Sequence, residues 1–123
     1  MSQASGTSHR SLLALAALVL GITAASTWWA GRHEAQIGRQ VAALAGPGDI
    51  RMLSSDTCGL CVVARHWLQQ HAVAFSECSI ERDAACRAAF EASQAPGTPV
   101  LLVRQQTQVG FNAERLQAAL QLR

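Results

Sequence analysis

The chain of 123 residues has no tyrosine, three phenylalanines and three tryptophans, so it has too few rings to build a stacking platform for single-stranded nucleic acid. It has no lysine either. All ten basic residues are arginines, scattered among eight acidic ones for a net charge of +2, and this excludes a dedicated nucleic-acid surface. The joint absence of Lys and Tyr is consistent with a coding bias, and no mechanism follows from it. Charged residues make up only 15% of the chain and apolar ones 50%, a balance that excludes disorder and requires a particular place for the apolar surplus. The length admits one modest domain and excludes a large multidomain enzyme. Neither internal repeats nor low-complexity tracts occur.

The apolar surplus collects in LLALAALVLGITAASTWWA, residues 12 to 30, which carries no charge. At about 1.5 Å per residue this run makes roughly 28 Å of helix, close to the hydrocarbon thickness of a bilayer. Trp28 and Trp29 suit the interfacial belt at its far end, and Arg10 and Arg32 bracket it. Residues 12–31 are therefore expected to form a single transmembrane helix, preceded by a polar tail, 1–11. A cleaved signal peptide is the rival reading. Cleavage near Ala25 would put Thr23 at the minus-three position, a poor match, and the apolar run continues through the tryptophans. Arg10 on one side and Arg32 with Arg39 on the other, offset by Glu34, leave the positive-inside rule undecided. A short polar tail before one span is the usual signal-anchor arrangement, with the C-terminal domain exported to the periplasmic or extracytoplasmic side.

Ile37, Val41 and Leu44 recur at helical spacing, so residues 32–48 are expected to form a juxtamembrane helical stalk that breaks at Gly46-Pro47-Gly48. The head follows, 49–123. Ile50–Ser55 reads as a strand and Cys58–His71 as a helix. Val73–Ile80 is then a second strand, and Asp83–Ala95 a second helix. Val100–Val103 is an apolar strand, Gln105–Thr107 a turn and Val109–Phe111 a returning strand, after which Asn112 caps a last helix bearing Leu116, Ala119 and Leu120. The order is βαβ followed by ββα, and it predicts a four-stranded mixed sheet with helices on its faces. Trp67 reads as core. His66 and His71, five residues apart on one helix, share no ligand face and read as solvated or partly buried.

All four cysteines fall in the head: Cys58, Cys61, Cys78 and Cys86. Cys58-Gly59-Leu60-Cys61 sits where the first strand hands over to a helix, a place where unpaired amides and the helix dipole favour a thiolate. Cys58 is read as the nucleophile. Cys61, one helical turn on, is placed to attack a mixed disulfide and release the product. Downstream, Gly97-Thr98-Pro99 leads into a strand, a position where a cis peptide can hold the Thr98 backbone against the disulfide and let an extended substrate pair with it.

With LSSDTCGLC, GTPVLLV and VGFNAERLQAAL in this order across residues 49 to 122, the head resembles a glutaredoxin of the thioredoxin-fold superfamily. The resemblance implies an α/β thioredoxin-like domain of βαβ-ββα type, a redox-active CxxC and a part in cell redox homeostasis. It implies that Cys58 attacks and Cys61 resolves, and that Thr98 and Pro99 form a cis-proline turn. Gly59 and Leu60 lie between the cysteines, and Gly110-Phe111 forms the turn before the last helix; these residues complete the expected substrate-binding set. Glutathione-using relatives have a basic residue before the first cysteine, Pro-Tyr between the pair and a Gly-Gly turn near the last helix. Here Ser55-Asp56, Gly59-Leu60 and Gly110-Phe111-Asn112 stand instead. Much of a glutathione clamp is missing, so no cofactor is expected, and the implied partner is a disulfide-containing or dithiol protein or a small-molecule disulfide. Asp56 places a negative charge near Cys58 and predicts a less acidic thiol than in strongly oxidising relatives.

Two readings of Cys78 and Cys86 stay open: a second disulfide, worth roughly 2.5 kcal/mol for a loop of about nine residues, or two separate buried thiols. A zinc module fits poorly, because the second cysteine pair lacks a tight knuckle; no metal is expected. A membrane-tethered binding module without turnover is the other alternative. Direction of electron flow, substrate and oligomeric state are not encoded in a CGLC motif.

Overall fold

The computed structural model describes residues 8–122. Most of the expected polar tail 1–11, and Arg123 at the end of the head, lie outside the described residues. Two compact units are distinguished, one ending at Glu34 and one running from Ala35. The first unit is the apolar part of a long helix, α1 (His9–Leu44). Its large apolar side chains from Leu12 to Trp29 are all at least half exposed. The hydroxyls of Thr23, Ser26 and Thr27 donate to carbonyls three or four residues back, so these three hydroxyls are satisfied within the helix itself. The Arg32 guanidinium lies over the Trp28 ring, 4.0 Å from its centroid.

The second unit holds β1 (Ile50–Ser54), α2 (Gly59–Gln70), β2 (Ser76–Ser79), α3 (Ala84–Ser93), β3 (Val100–Val103), β4 (Gln106–Val109) and α4 (Ala113–Gln121). The sheet order is β2-β1-β3-β4, with β1 parallel to β2 and antiparallel to β3, and β3 antiparallel to β4. This is the expected mixed α/β sheet. Strand alternation divides its apolar residues between two faces. Ile50, Met52, Leu101 and Val103 pack with Trp67 and Leu68 of α2 and with Leu116 and Leu120 of α4. Leu53 and Val100 turn the other way, onto Cys86 of α3. With both faces covered, Ile50, Met52 and Leu53, three of the five residues of β1, are fully buried.

The segment read as a stalk contributes to the first of these faces: Ile37 and Val41, 7% and 0% exposed, belong to its core cluster. The Gly-Pro-Gly stretch behind it is pinned. The Asp49 carboxylate accepts from the Gly46 amide at 2.9 Å, and Arg104 donates to Asp49 and to the Leu44, Leu120 and Leu122 carbonyls. One guanidinium thus satisfies the ends of two helices, where orphan carbonyls and the negative dipole end favour a cation.

Two strand assignments need correction. The second strand was expected over Val73–Ile80 and spans only Ser76–Ser79, because α2 ends in a Schellman turn. Ala72 takes φ +54°, its amide donates to Gln69, and the Val73 amide reaches back to Leu68 at 2.9 Å. Val73 therefore finishes the helix and is buried against it. The returning strand, expected at Val109–Phe111 after a turn at Gln105–Thr107, is Gln106–Val109, and the turn is Arg104-Gln105, with Arg104 at φ +54°. The polar sequence concealed this strand. β4 is an edge whose Gln106, Thr107 and Val109 face solvent, and its length of four residues is what limits further pairing.

Gly38 lies where α1 crosses the end of α2, and a Cβ there would fall on the His71 ring, which itself packs against Trp67 at 4.4 Å between centroids. Gly38→Ala should therefore destabilise the head by about 1–3 kcal/mol through overpacking, despite alanine's better helix propensity. Urea unfolding of the full chain in detergent measures the effect. Introducing His71→Ala should remove most of the penalty; an equal penalty without the imidazole would show that the close contact is not its source.

Candidate active site

Cys58 follows β1 and its extended loop and stands as the N-cap of α2, with φ −92° and ψ 102°. Its sulfur accepts from the Cys61 amide at 3.0 Å. The capping role that Ser, Thr, Asp or Asn usually fills is thus taken by sulfur, and a thiolate there would gain from both the free amide and the dipole of a twelve-residue helix. Cys58 and Cys61 are joined as a disulfide, with Cα atoms 5.2 Å apart. Their exposures differ: Cys61 is fully buried, while Cys58 is partly open. An incoming sulfur can reach only the first.

Gly59 is exposed, and Leu60 is 66% exposed between the cysteines. Thr98–Pro99 is a cis peptide, with Pro99 buried and Thr98 partly exposed. The Gly110 amide donates to the Pro99 carbonyl at 2.8 Å, so two of the expected substrate-binding elements, the proline turn and the glycine turn, are tied together. Gly110 takes φ +77°, the left-handed region that favours glycine. Phe111 turns inward and packs on Trp67 at 5.3 Å between centroids. Asn112 caps α4 through the Arg115 amide at 2.8 Å.

Cys78 and Cys86 also form a disulfide, with Cα atoms 6.0 Å apart, joining β2 to the first turn of α3. The Arg51 guanidinium is 3.5 Å from the Cys78 sulfur. Among the described residues no group of three His, Cys, Asp or Glu side chains stands in a metal-binding arrangement.

Beside Cys58 opens a cleft of about 340 Å³ lined by Ser54, Asp56, Arg65, Glu77 and Arg82. A larger one, about 450 Å³, lies at the β3–β4 turn and α4 and contains none of the cysteines. The cleft residues carry a polar network that the sequence motifs did not disclose. Arg65 of α2 pairs with Glu77 of β2 through both Nε and Nη2, and Ser54 also donates to Glu77 at 2.8 Å. The Arg65 guanidinium, with Ser54 assisting, holds the Glu77 carboxyl below its ordinary value of 4.5 against a smaller desolvation. Asp56, expected to bear on the Cys58 thiol, is paired with Arg82 at 3.0 Å and accepts from Ser79. Glu81 accepts from the Ser55 hydroxyl at 2.6 Å, the Asp56 amide at 3.2 Å and the Ser79 hydroxyl at 2.9 Å. The hydrogen bonds from Ser55 and Ser79 hold its carboxyl down at about 2. The one available sequence signal was the recurrence of Ser, Asp and Glu at the two strand ends; which of them meet depends on the parallel register that sets Leu53 beside Cys78.

The family model described as Glutaredoxin matches residues 50–107, from the start of β1 into β4. Among solved structures, the thioredoxin-like protein BC3987 is 27% identical, with a TM-score of 0.51, covering 57% of this chain and 97% of its own. A point mutant of the same protein gives 26%, 0.54, 62% and 99%. The chain therefore spans nearly the whole of these neighbours. No curated protein matches it.

Both carboxyls are held below their ordinary value of 4.5 in the fold, Glu81 down to about 2, so the stability they contribute is present above about pH 4.5 and is lost as pH falls, the Glu81 part toward about 2. The urea midpoint of the full chain should drop over that window. In Glu77→Gln/Glu81→Gln the acid limb should be flatter. A limb of unchanged steepness would assign acid sensitivity to other carboxylates.

Proposed function

We propose that this chain, whose head is a glutaredoxin-like domain of the thioredoxin fold, is a membrane-anchored thiol-disulfide oxidoreductase acting on disulfide-containing or dithiol proteins. Thiol-disulfide redox chemistry is supported by the Glutaredoxin match together with the Cys58–Cys61 pair. The observation that carries the reading is the inequality of the two sulfurs: one caps a helix and is partly open, and the other is buried one turn behind it.

In the reducing direction, the Cys58 thiolate attacks one sulfur of a substrate disulfide. A Cys58–substrate disulfide forms, the substrate S–S bond breaks, and the departing thiolate takes a proton from solvent. Cys61, once deprotonated, attacks the Cys58 sulfur, closes the Cys58–Cys61 disulfide and expels the second substrate thiolate. Two electrons pass to the substrate, which gains two protons overall. Run backwards, the same steps oxidise a dithiol. The partly exposed Thr98 offers an extended substrate segment a place to pair, and Leu60 offers it an apolar contact. Neither step calls on glutathione, and the chain lacks much of the clamp that would hold it.

The long apolar helix is the basis of the membrane assignment, with residues 12–31 as the span and the head on the extracytoplasmic side. The alternative, a tethered binding module without turnover, leaves unexplained why a buried second cysteine stands within bonding reach of the first.

Cys61→Ser, which stops resolution, should accumulate mixed disulfides through Cys58 in cells, seen as bands lost on reduction. Cys58→Ser/Cys61→Ser should accumulate none. Absence of trapped species in the single variant would favour the binding module. Alkaline extraction should leave the chain in the membrane fraction at full mass, and a C-terminal reporter active only in the cytoplasm should stay silent; a shortened, soluble chain would identify the apolar run as a cleaved signal.

A further inference from the structure

The second disulfide closes the segment from Cys78 to Cys86, and the residues inside that loop are the ones that hold the strand-to-helix loop ahead of Cys58. The Ile80 amide donates to the Ser54 carbonyl at 2.9 Å. Glu81 takes the Ser55 hydroxyl and the Asp56 amide, while Arg82 and Ser79 take the Asp56 carboxylate. From just beyond the bridge the Arg87 side chain donates to the Ile80 and Glu81 carbonyls of the bridged loop at 2.9 and 3.2 Å, and within the loop Asp83 caps α3 through the Cys86 amide. The chain of contacts ends at the nucleophile, because the Cys58 amide donates to the Ser55 carbonyl at 3.3 Å.

We propose that Glu81 is a positioning residue for Cys58, and that the Cys78–Cys86 bridge holds Glu81 in place, so that the bridged loop sets how readily Cys58 becomes a thiolate. Three features support this. The Glu81 carboxylate joins the loop ahead of Cys58 at two points, a hydroxyl and an amide, so it orders Ser55 and Asp56 together. It stays ionised across the working pH range and, bound to Ser55 and to the Asp56 amide, fixes a negative charge in the loop that leads to Cys58; Arg82 is taken up by Asp56, and Arg65 and Glu77 are paired with each other. The bridge supplies the rigidity that an exposed loop lacks, since its ends are covalently tied to β2 and α3. Bridge and carboxylate then act on one element, and their effects on Cys58 must be coupled.

The inference rests on Cys58 being the attacking sulfur. It is tested without turnover, by following iodoacetamide alkylation of Cys58 against pH by peptide mass spectrometry in the full chain carrying Cys61→Ser, in detergent. Glu81→Gln should lower the midpoint by about half a pH unit, roughly a threefold gain in thiolate fraction below the midpoint, the size expected for removing one charge at a partly solvated distance. Glu81→Asp, which restores the charge, should return most of the way. In Cys78→Ser/Cys86→Ser the midpoint should already be lower, and adding Glu81→Gln should then move it less than in the bridged chain. An unmoved midpoint in a folded Glu81→Gln variant would overturn the role of the carboxylate. A Glu81→Gln shift of equal size with and without the bridge would overturn the role of the bridge; should the bridge-free chain not fold, the Glu81→Gln and Glu81→Asp titrations decide the proposal. If these titrations behave as expected while Cys61→Ser traps no partner, positioning stands and the turnover reading falls.

Discussion

The head depends on how β1 passes into α2. β1 is covered on both faces, so Met52 and Leu53 cannot shift without exposing core, and the loop that leaves the strand has a fixed origin. The first free amides of α2 then meet a sulfur in place of the usual capping oxygen. A helix start supplies a partial positive charge whether or not any chemistry uses it; placing a cysteine there converts a folding requirement, the satisfaction of orphan N–H groups, into a bias toward the anionic form of that thiol. The second cysteine gains the opposite environment from the same helix, since its position one turn on faces the core.

The order of elements was legible because each has its own periodicity or punctuation. Cys58 at the strand end, Asn112 before α4 and the apolar run at 100–103 identify their elements without tertiary knowledge. The errors came where a local signal served a different structural purpose. Val73 looks like the first residue of a strand and is the apolar partner of a helix-ending turn, with Ala72 occupying the left-handed position usually given to glycine. Gln106 and Thr107 look like a turn and are an edge strand. Of the site, the cysteine spacing and the Thr-Pro step could be read from the chain. The Arg65–Glu77 pair and the Glu81 network could not, because their partners are 12 to 26 residues apart and meet only through the β1–β2 register.

The C-terminal end of α1 shows how far composition alone underdescribes a segment. Ile37, Val41 and Leu44 predict a helix, and the pattern is equally that of a tether and of a packed element. What distinguishes them is Gly38, which has no side chain where the His71 ring approaches, and Arg104, which reaches from the β3–β4 turn to the Leu44 carbonyl. A tether needs neither. The residues after Ala35 are therefore part of the packed head, and the Gly-Pro-Gly stretch is a held corner, pinned by Asp49, whose carboxyl is kept below its ordinary value by the Gly46 amide and by Arg104.

The two faces of the sheet are unequal, and this explains where the second disulfide lies. The face carrying α2, α4 and the end of α1 buries aliphatic side chains from five elements together with Trp67. The other face has three fully buried residues, Leu53, Val100 and Cys86, under a single ten-residue helix whose own fully buried side chain is that cysteine. Apolar burial at roughly 25 cal/mol per Å² cannot hold so short a helix strongly with so little area. β2, beneath the same helix, is an edge strand of four residues with no fully buried side chain. A covalent link between these two weakly held elements stabilises the thinner layer, as disulfides do in domains near the lower size limit. Because the loop it closes also grips the approach to Cys58, stability on that face and order around Cys58 depend on the same bond.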